Sequence, residues 1–167
     1  MSAGLPGGAP AWHGGAMRWI LVAAVLMLPG TASAHWEYTR WGMSEAQVVQ
    51  ASRGAVRALP REARRAVERA RMEYRAEGSL ALPGLRLQLA FAFDLRSGGL
   101  VCVSYRAEPR EAQALRAHLV RRFGEPQERG GVPETGEETY GWSRPDEIDL
   151  NIAPNRAAVA LHCMRGT

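Results

Sequence analysis

Leu85-Arg86-Leu87-Gln88-Leu89-Ala90-Phe91-Ala92-Phe93-Asp94 alternates large apolar residues with polar or small ones over its whole length. A period of two puts Leu85, Leu87, Leu89, Phe91 and Phe93 on one side of an extended chain, so this is a strand with one face buried and the other in water. Downstream, Arg96-Ser97-Gly98-Gly99 is turn material. A three-residue loop, Arg96 to Gly98, pairs Phe93 with Val101, Phe91 with Val103 and Leu89 with Tyr105, all on one face. A two-residue loop would mix the faces, and register follows the hydrophobic pattern. Gly98 suits the left-handed position that ends such loops. Upstream, Leu82-Pro83-Gly84-Leu85 has proline and glycine where a type II turn needs them, pairing Leu82 with Leu85 and Leu80 with Leu87. The expectation is a meander of roughly 74–82, 85–94 and 100–106.

Outward from the meander, two amphipathic stretches are available to cover its buried face. Ser44 with Gln47 three residues on is a capping box, opening a helix from Glu45 to about Arg53 that Gly54 ends. Pro109 suits a first helical turn, and Ala112, Leu115, Leu119 and Phe123 recur at helical spacing until Gly124 and Pro126 stop the run. Pro60 to Met72, dense in Arg, Glu and Ala, reads as a further short helix. Glu128 to Glu138 reads as a polar loop. Three strands then close the chain, through Tyr140 and Trp142, through Ile148, Leu150 and Ile152, and through Val159, Leu161 and Cys163. An even-length link in the last hairpin pairs Ile152 with Val159, Leu150 with Leu161 and Ile148 with Cys163. The predicted fold is α+β, with helices on one face of an antiparallel sheet in the order α(α)βββαβββ.

The compartment is read from the N-terminus. Met17-Arg18, the apolar run Trp19 to Leu28 and Ala32-Ser33-Ala34 have the parts of a secretory signal peptide, and Met17 would serve as its start. The run is shorter than the ~20 residues a membrane span requires. Residues 1–34 are therefore expected to be a leader and 35–167 a single domain, periplasmic or secreted, with no stable membrane insertion after cleavage. The chain of 167 residues has 21 basic side chains, every one arginine, against 17 acidic ones. The two signs are interspersed and form no basic stripe, so nucleic acid is not an expected partner.

Candidate chemistry is sparse. An oxidising compartment favours a bridge between Cys102 and Cys163, the two cysteines present. The registers above argue against it, since Cys163 falls on the core side with Leu161 and Cys102 on the other with Ser104. Sulfurs on opposite faces of one sheet cannot bridge. A bulge would overturn that argument. Cleavage after Ala34 would expose His35 as an N-terminal residue whose amine and imidazole chelate Cu(II), the basis of an alternative reading as a copper-handling protein. His118 and His162 are not at ligand spacing from it. The same registers set His162 opposite Asp149, a pairing that could orient a general base. No nucleophile motif accompanies it, and no catalytic residue, cofactor or metal centre is expected. Trp36, Trp41, Tyr140 and Trp142 would either line a binding groove or serve as core pegs of large buried area.

Two patches carry a resemblance. One is Trp36 to Val49, with Trp41-Gly42-Met43-Ser44 opening a helix. The other runs from Phe91-Ala92-Phe93-Asp94 through Gly99-Leu100-Val101, Phe123-Gly124-Glu125-Pro126 and Trp142 to Ile148-Asp149-Leu150. Together they are similar to small exported bacterial proteins of uncharacterised function. More distantly they resemble the outer-membrane small lipoprotein A family and the β-lactamase-inhibitor-protein-like fold. The resemblance implies a helix packed on an antiparallel sheet and protein–protein binding in the envelope. The lipid-bearing cysteine of the lipoproteins has no counterpart at the cleavage site here. The expectation is a non-catalytic binding module whose partner is another envelope protein, with copper handling through His35 as the alternative. Titration of the exported protein with Cu(II) separates the two: the binding-module reading expects no tight copper site and no change on His35→Ala.

Overall fold

A computed structural model describes residues 35–166, residues 35 and 36 by their backbone alone. The leader expected at 1–34 lies outside the described residues. The strands are β1 (His35–Trp36), β2 (Thr39–Arg40), β3 (Val56–Ala58), β4 (Arg65–Val67), β5 (Met72–Leu82), β6 (Leu85–Asp94), β7 (Leu100–Ala107), β8 (Glu128–Val132), β9 (Glu137–Trp142), β10 (Glu147–Ile152) and β11 (Ala158–Cys163). The helices are α1 (Glu45–Ala51) and α2 (Ala112–Phe123), the latter entered through a 3₁₀ turn at Pro109–Glu111. β1 and β2 form a small hairpin. The other strands build one antiparallel sheet of nine, ordered β3-β5-β6-β7-β11-β10-β9-β8, with β4 also on β5. The meander thus stands as one half of the sheet. From β7 the chain crosses through α2 to the far edge and returns inward through β8, β9 and β10, so that β11 closes beside β7.

The alternating stretch is β6, and its apolar face is the centre of the core: Leu85, Leu87, Leu89, Phe91 and Phe93 are all buried. Leu82 opposes Leu85 and Leu80 opposes Leu87, as the turn chemistry requires. Phe91 opposes Val103 and Leu89 opposes Tyr105. At the loop itself the ladder slips, and Phe93 meets Leu100 in place of Val101. The bulge turns Leu100 into the core and Val101 to the other face. Gly98 takes the left-handed conformation at φ 71°, and the Asp94 carboxylate accepts from the backbone N–H groups of Arg96 and Ser97.

Both helices cover the same face. Val48 of α1 and Ala112, Leu115 and Leu119 of α2 belong to the main core, with Phe123 packed at its margin. The capping box forms in both directions: the Gln47 N–H donates to Ser44 Oγ and the Ser44 N–H to Gln47 Oε1. The N-terminal turn before α1 is stitched to β7, where Gly42 N–H donates to Leu100 O at 2.9 Å and Leu100 N–H to Met43 O at 2.8 Å. A Cβ on Gly99 would stand 3.0 Å from the Gly42 Cα, so any larger residue would push the two backbones apart at this crossing.

Three expectations are corrected. The stretch Pro60 to Met72 is not an α-helix: it is two 3₁₀ turns, Arg61–Ala63 and Glu68–Ala70, flanking β4. Backbone pairing with the long edge of β5 outweighs a helical propensity whose apolar stripe, Ala63, Ala66, Val67 and Ala70, has one side chain larger than a methyl group to bury. The loop expected at Glu128 to Glu138 contains β8, paired residue for residue with β9 from Glu128–Gly141 to Val132–Glu137. Most consequentially, the last hairpin is out of the predicted register by one. Asn151 opposes Val159, Asp149 opposes Leu161 and Glu147 opposes Cys163. Asn155, at φ 59°, turns an odd five-residue link. A one-residue slip exchanges the two faces of a strand. Ala158, Ala160 and His162 therefore point into the core, while Val159, Leu161 and Cys163 share the opposite face with Cys102 and Ser104.

That phase overturns the argument against a disulfide. Cys163 lies directly opposite Cys102, and the two are bonded with their Cα atoms 4.1 Å apart. A bridge of this kind belongs to oxidising compartments. Among the described residues no helix is long and apolar enough to cross a membrane. The bond closes a loop spanning 61 residues, from β7 through α2 to the C-terminal strand. On loop-closure entropy its removal is expected to lower stability by about 4 kcal/mol. The check is urea denaturation of the oxidised chain against the Cys102→Ser/Cys163→Ser variant, the midpoint falling in the variant.

Candidate functional site

Two features stand out from ordinary packing: a buried polar array on the helix side and a polarised open face on the other. The array is centred on His162, which the register of β11 drives wholly into the core. His162 Nε2 lies 2.8 Å from Asp146 Oδ2. The Trp41 indole N–H donates to the other carboxylate oxygen, Oδ1, at 3.1 Å. A carboxylate can only accept, so the histidine proton sits on Nε2 and Nδ1 is left as an acceptor. The Tyr105 hydroxyl, in β7, donates to it. The rings of Trp41 and Phe123 meet the imidazole edge-on, both at 5.1 Å between centroids. Burial holds the His162 pKa below its ordinary value, and the hydrogen bond and charge of Asp146 oppose that shift without reversing it. Burial likewise holds the Tyr105 hydroxyl well above its usual range.

The array joins four parts of the chain: the turn before α1, β7, the segment before β10, and β11. Tyr105, Asp146 and His162 are 1, 4 and 0% exposed. A group sealed to that degree cannot meet a dissolved substrate in this conformation, and the array acts as a pin. The predicted His162–Asp149 pairing does not form. Asp149 opposes Leu161 on the open face and His162 opposes Ile148 on the core side, so the sheet separates them. The true partner, Asp146, sits outside any regular element, and only its place one residue before β10 marks it in the sequence.

The aromatics are placed as follows. Trp41, Tyr140 and Trp142 pack with the main core, Trp142 donating its indole N–H to Gly124 O at 2.8 Å and Tyr140 lying beneath Arg116. Trp36 stands in β1 opposite Thr39, and His35 opposite Arg40. Among the described residues no cluster of three or more His, Cys, Asp or Glu could hold a metal ion.

The open face is built by successive cross-strand pairs. Arg57 opposes Glu77, Glu77 opposes Ala90, and Ala90 opposes Ser104. Ser104 then opposes Leu161, Leu161 opposes Asp149, and the row ends through Gly141 at Glu128. A parallel row begins at Arg65 beside Tyr74 and runs through Ala92 and the disulfide to Glu147. Small residues floor a groove of about 800 Å³ over Ala90 and Ser104, and a second of about 490 Å³ over Gly141 and Leu161. The cations Arg57, Arg65, Arg86 and Arg106 stand in the half built by β3 to β7, and the anions Glu128, Glu147 and Asp149 in the half built by β8 to β11. All seven are exposed. Arg57 is paired with Glu77 within its own half.

No protein-family model, curated protein or solved structure matches the chain.

The buried array generates a pH dependence whose sign is fixed. A histidine held below its ordinary pKa takes up its proton in the unfolded chain first, from about pH 6.5 downward. Its stability contribution is therefore intact above that pH and declines as the solution is acidified. His118, also lowered by burial, acts in the same direction. Truncation by His162→Ala strands Asp146 and Tyr105 in the core and is expected to cost about 3–5 kcal/mol. Chemical denaturation between about pH 7.5 and about pH 5.5 should show stability falling in the native chain and a shallower fall in the variant.

Proposed function

We propose that this chain is an exported, non-catalytic protein-binding module of the bacterial envelope, and that its open sheet face is the surface that meets another envelope protein. The observation that carries the reading is the open face itself. A row of eight paired strands carries exposed charges on both sides of the half-buried apolar residues Val159 and Leu161, which stand on its central strand β11. A polar rim around a less polar centre is the usual anatomy of a protein interface. The grooves are shallow and floored by small side chains, which suits a protruding backbone segment better than a small molecule. The disulfide supports the exported location. The resemblance to envelope proteins that bind other proteins points the same way.

The test is affinity capture of the tagged exported chain from a bacterial envelope extract, run beside two variants. Glu147→Arg/Asp149→Arg alters the open face, while Gln113→Arg alters the exposed side of α2. The reading expects a distinct envelope protein retained by the native chain and by the α2 variant, and retention by the open-face variant reduced on the order of tenfold. Equal capture by all three, or no protein captured, overturns it.

A further inference from the structure

The two halves of the open face carry exposed charges of opposite sign, arginines on β3 to β7 and carboxylates on β8 to β11. We propose that this face, while free of another partner, closes on a second copy of the chain, with a two-fold axis running parallel to the strands between β7 and β11. The proposal rests on the reading of the open face as a binding surface and names what covers it when that partner is absent.

The argument follows from the row of opposed residues. A two-fold axis parallel to the strands turns one sheet to face another and reverses the order of strands, leaving each row matched with itself end for end. β3 of one copy then lies over β8 of the other, β6 over β10, and β7 over β11. Along the principal row this sets Arg57 over Glu128, Glu77 over Gly141, Ala90 over Asp149, and Ser104 over Leu161. Opposite charges meet at both ends, and at the centre a large apolar side chain enters a space floored by a hydroxymethyl group. Plus meets minus at the two ends and large meets small at the centre, while the carboxylates of Asp149 and Glu77 lie over Ala90 and Gly141, which offer them no cation. Within a single copy the same ends cannot neutralise one another. Seven steps of ~4.8 Å separate them by roughly 34 Å, several times the screening length of about 8 Å at physiological salt. The two rows named and a third through Gln88, Arg106, Val159 and Asn151, spaced by ~6.8 Å, give roughly 600 Å² per copy, or about 1,200 Å² in all, the lower end of a standard stable interface.

The experiment is sedimentation velocity of the purified exported chain over the micromolar range at low and high salt, with four variants checked for native fold by circular dichroism. The native chain is expected to form a concentration-dependent dimer that salt weakens. Arg57→Glu and Glu128→Arg should each weaken association on the order of tenfold. The double swap Arg57→Glu/Glu128→Arg restores the pair with its signs exchanged and should return association to near the native value. Leu161→Arg, which places a charge at the centre of the face, should leave a monomer. A native chain that stays monomeric overturns the proposal, as does a double swap no better than its parents. Either result leaves the capture experiment to decide the broader reading on its own.

Discussion

The phase of the last strand is the constraint on which the rest of the structure depends. β11 is the seam between two halves of the sheet, and each of its faces is locked by a different interaction. Inside, His162 is held by Asp146 and Tyr105. Outside, Cys163 is bonded to Cys102. A slip of one residue would break both at once, burying a cysteine away from its partner and moving the imidazole to the open face. Register is weakly specified where a strand's two faces differ little in hydrophobicity, and β11 is such a strand, with alanines on one side and Val159 and Leu161 on the other. The polar lock and the covalent one supply the specificity that its apolar pattern lacks.

This explains how far the fold could be read from the chain. β6 was legible because Leu and Phe on one face stand against Arg, Gln and Ala on the other. Its turns were legible because Pro83, Gly84 and Gly98 have conformational preferences of their own. Ala112, Leu115 and Leu119 were legible as a helix stripe, and Ser44 with Gln47 as a cap. The phase of β11 was not, because volume favours burying Val159 and Leu161, whereas the structure buries Ala158, Ala160 and the His162 imidazole, the last against Trp41 and Phe123. Asp146 lies far from Trp41 and Tyr105 in sequence, and no local pattern joins them. β4 and β8 were missed for a related reason. They are strands because an edge is offered to them by β5 and β9, and neither has an alternation strong enough to announce itself.

The buried array also shows how the N-terminal segment is kept on the domain. Trp41 reaches Asp146 through its indole N–H, while Gly42 and Met43 exchange backbone hydrogen bonds with Leu100. A carboxylate taken out of water is costly unless its lone pairs are satisfied. Asp146 meets that demand with two donors from opposite ends of the chain. The turn before α1 is therefore held by polar bonds whose loss would leave a buried acid short of a donor.

The path of the chain through the sheet accounts for the polarity of its open face. Arg57, Arg65, Arg86 and Arg106 precede α2 in sequence, and Glu128, Glu147 and Asp149 follow it. Had the chain continued directly from β7 to its neighbour, charges of the two halves would stand side by side and pair. α2 instead spans ~18 Å at 1.5 Å per residue, and the second meander begins at the far edge and works back. Anionic β10 is thereby parted from cationic β7 by β11 alone, with the disulfide, Val159 and Leu161 at the seam, while anionic β8 lies at the far edge. The two signs are interspersed along the chain, and it is the alternation of the strands that selects which of them reach the open face. Arg57 is matched by Glu77 within its own half, and the face as a whole keeps a dipolar surface.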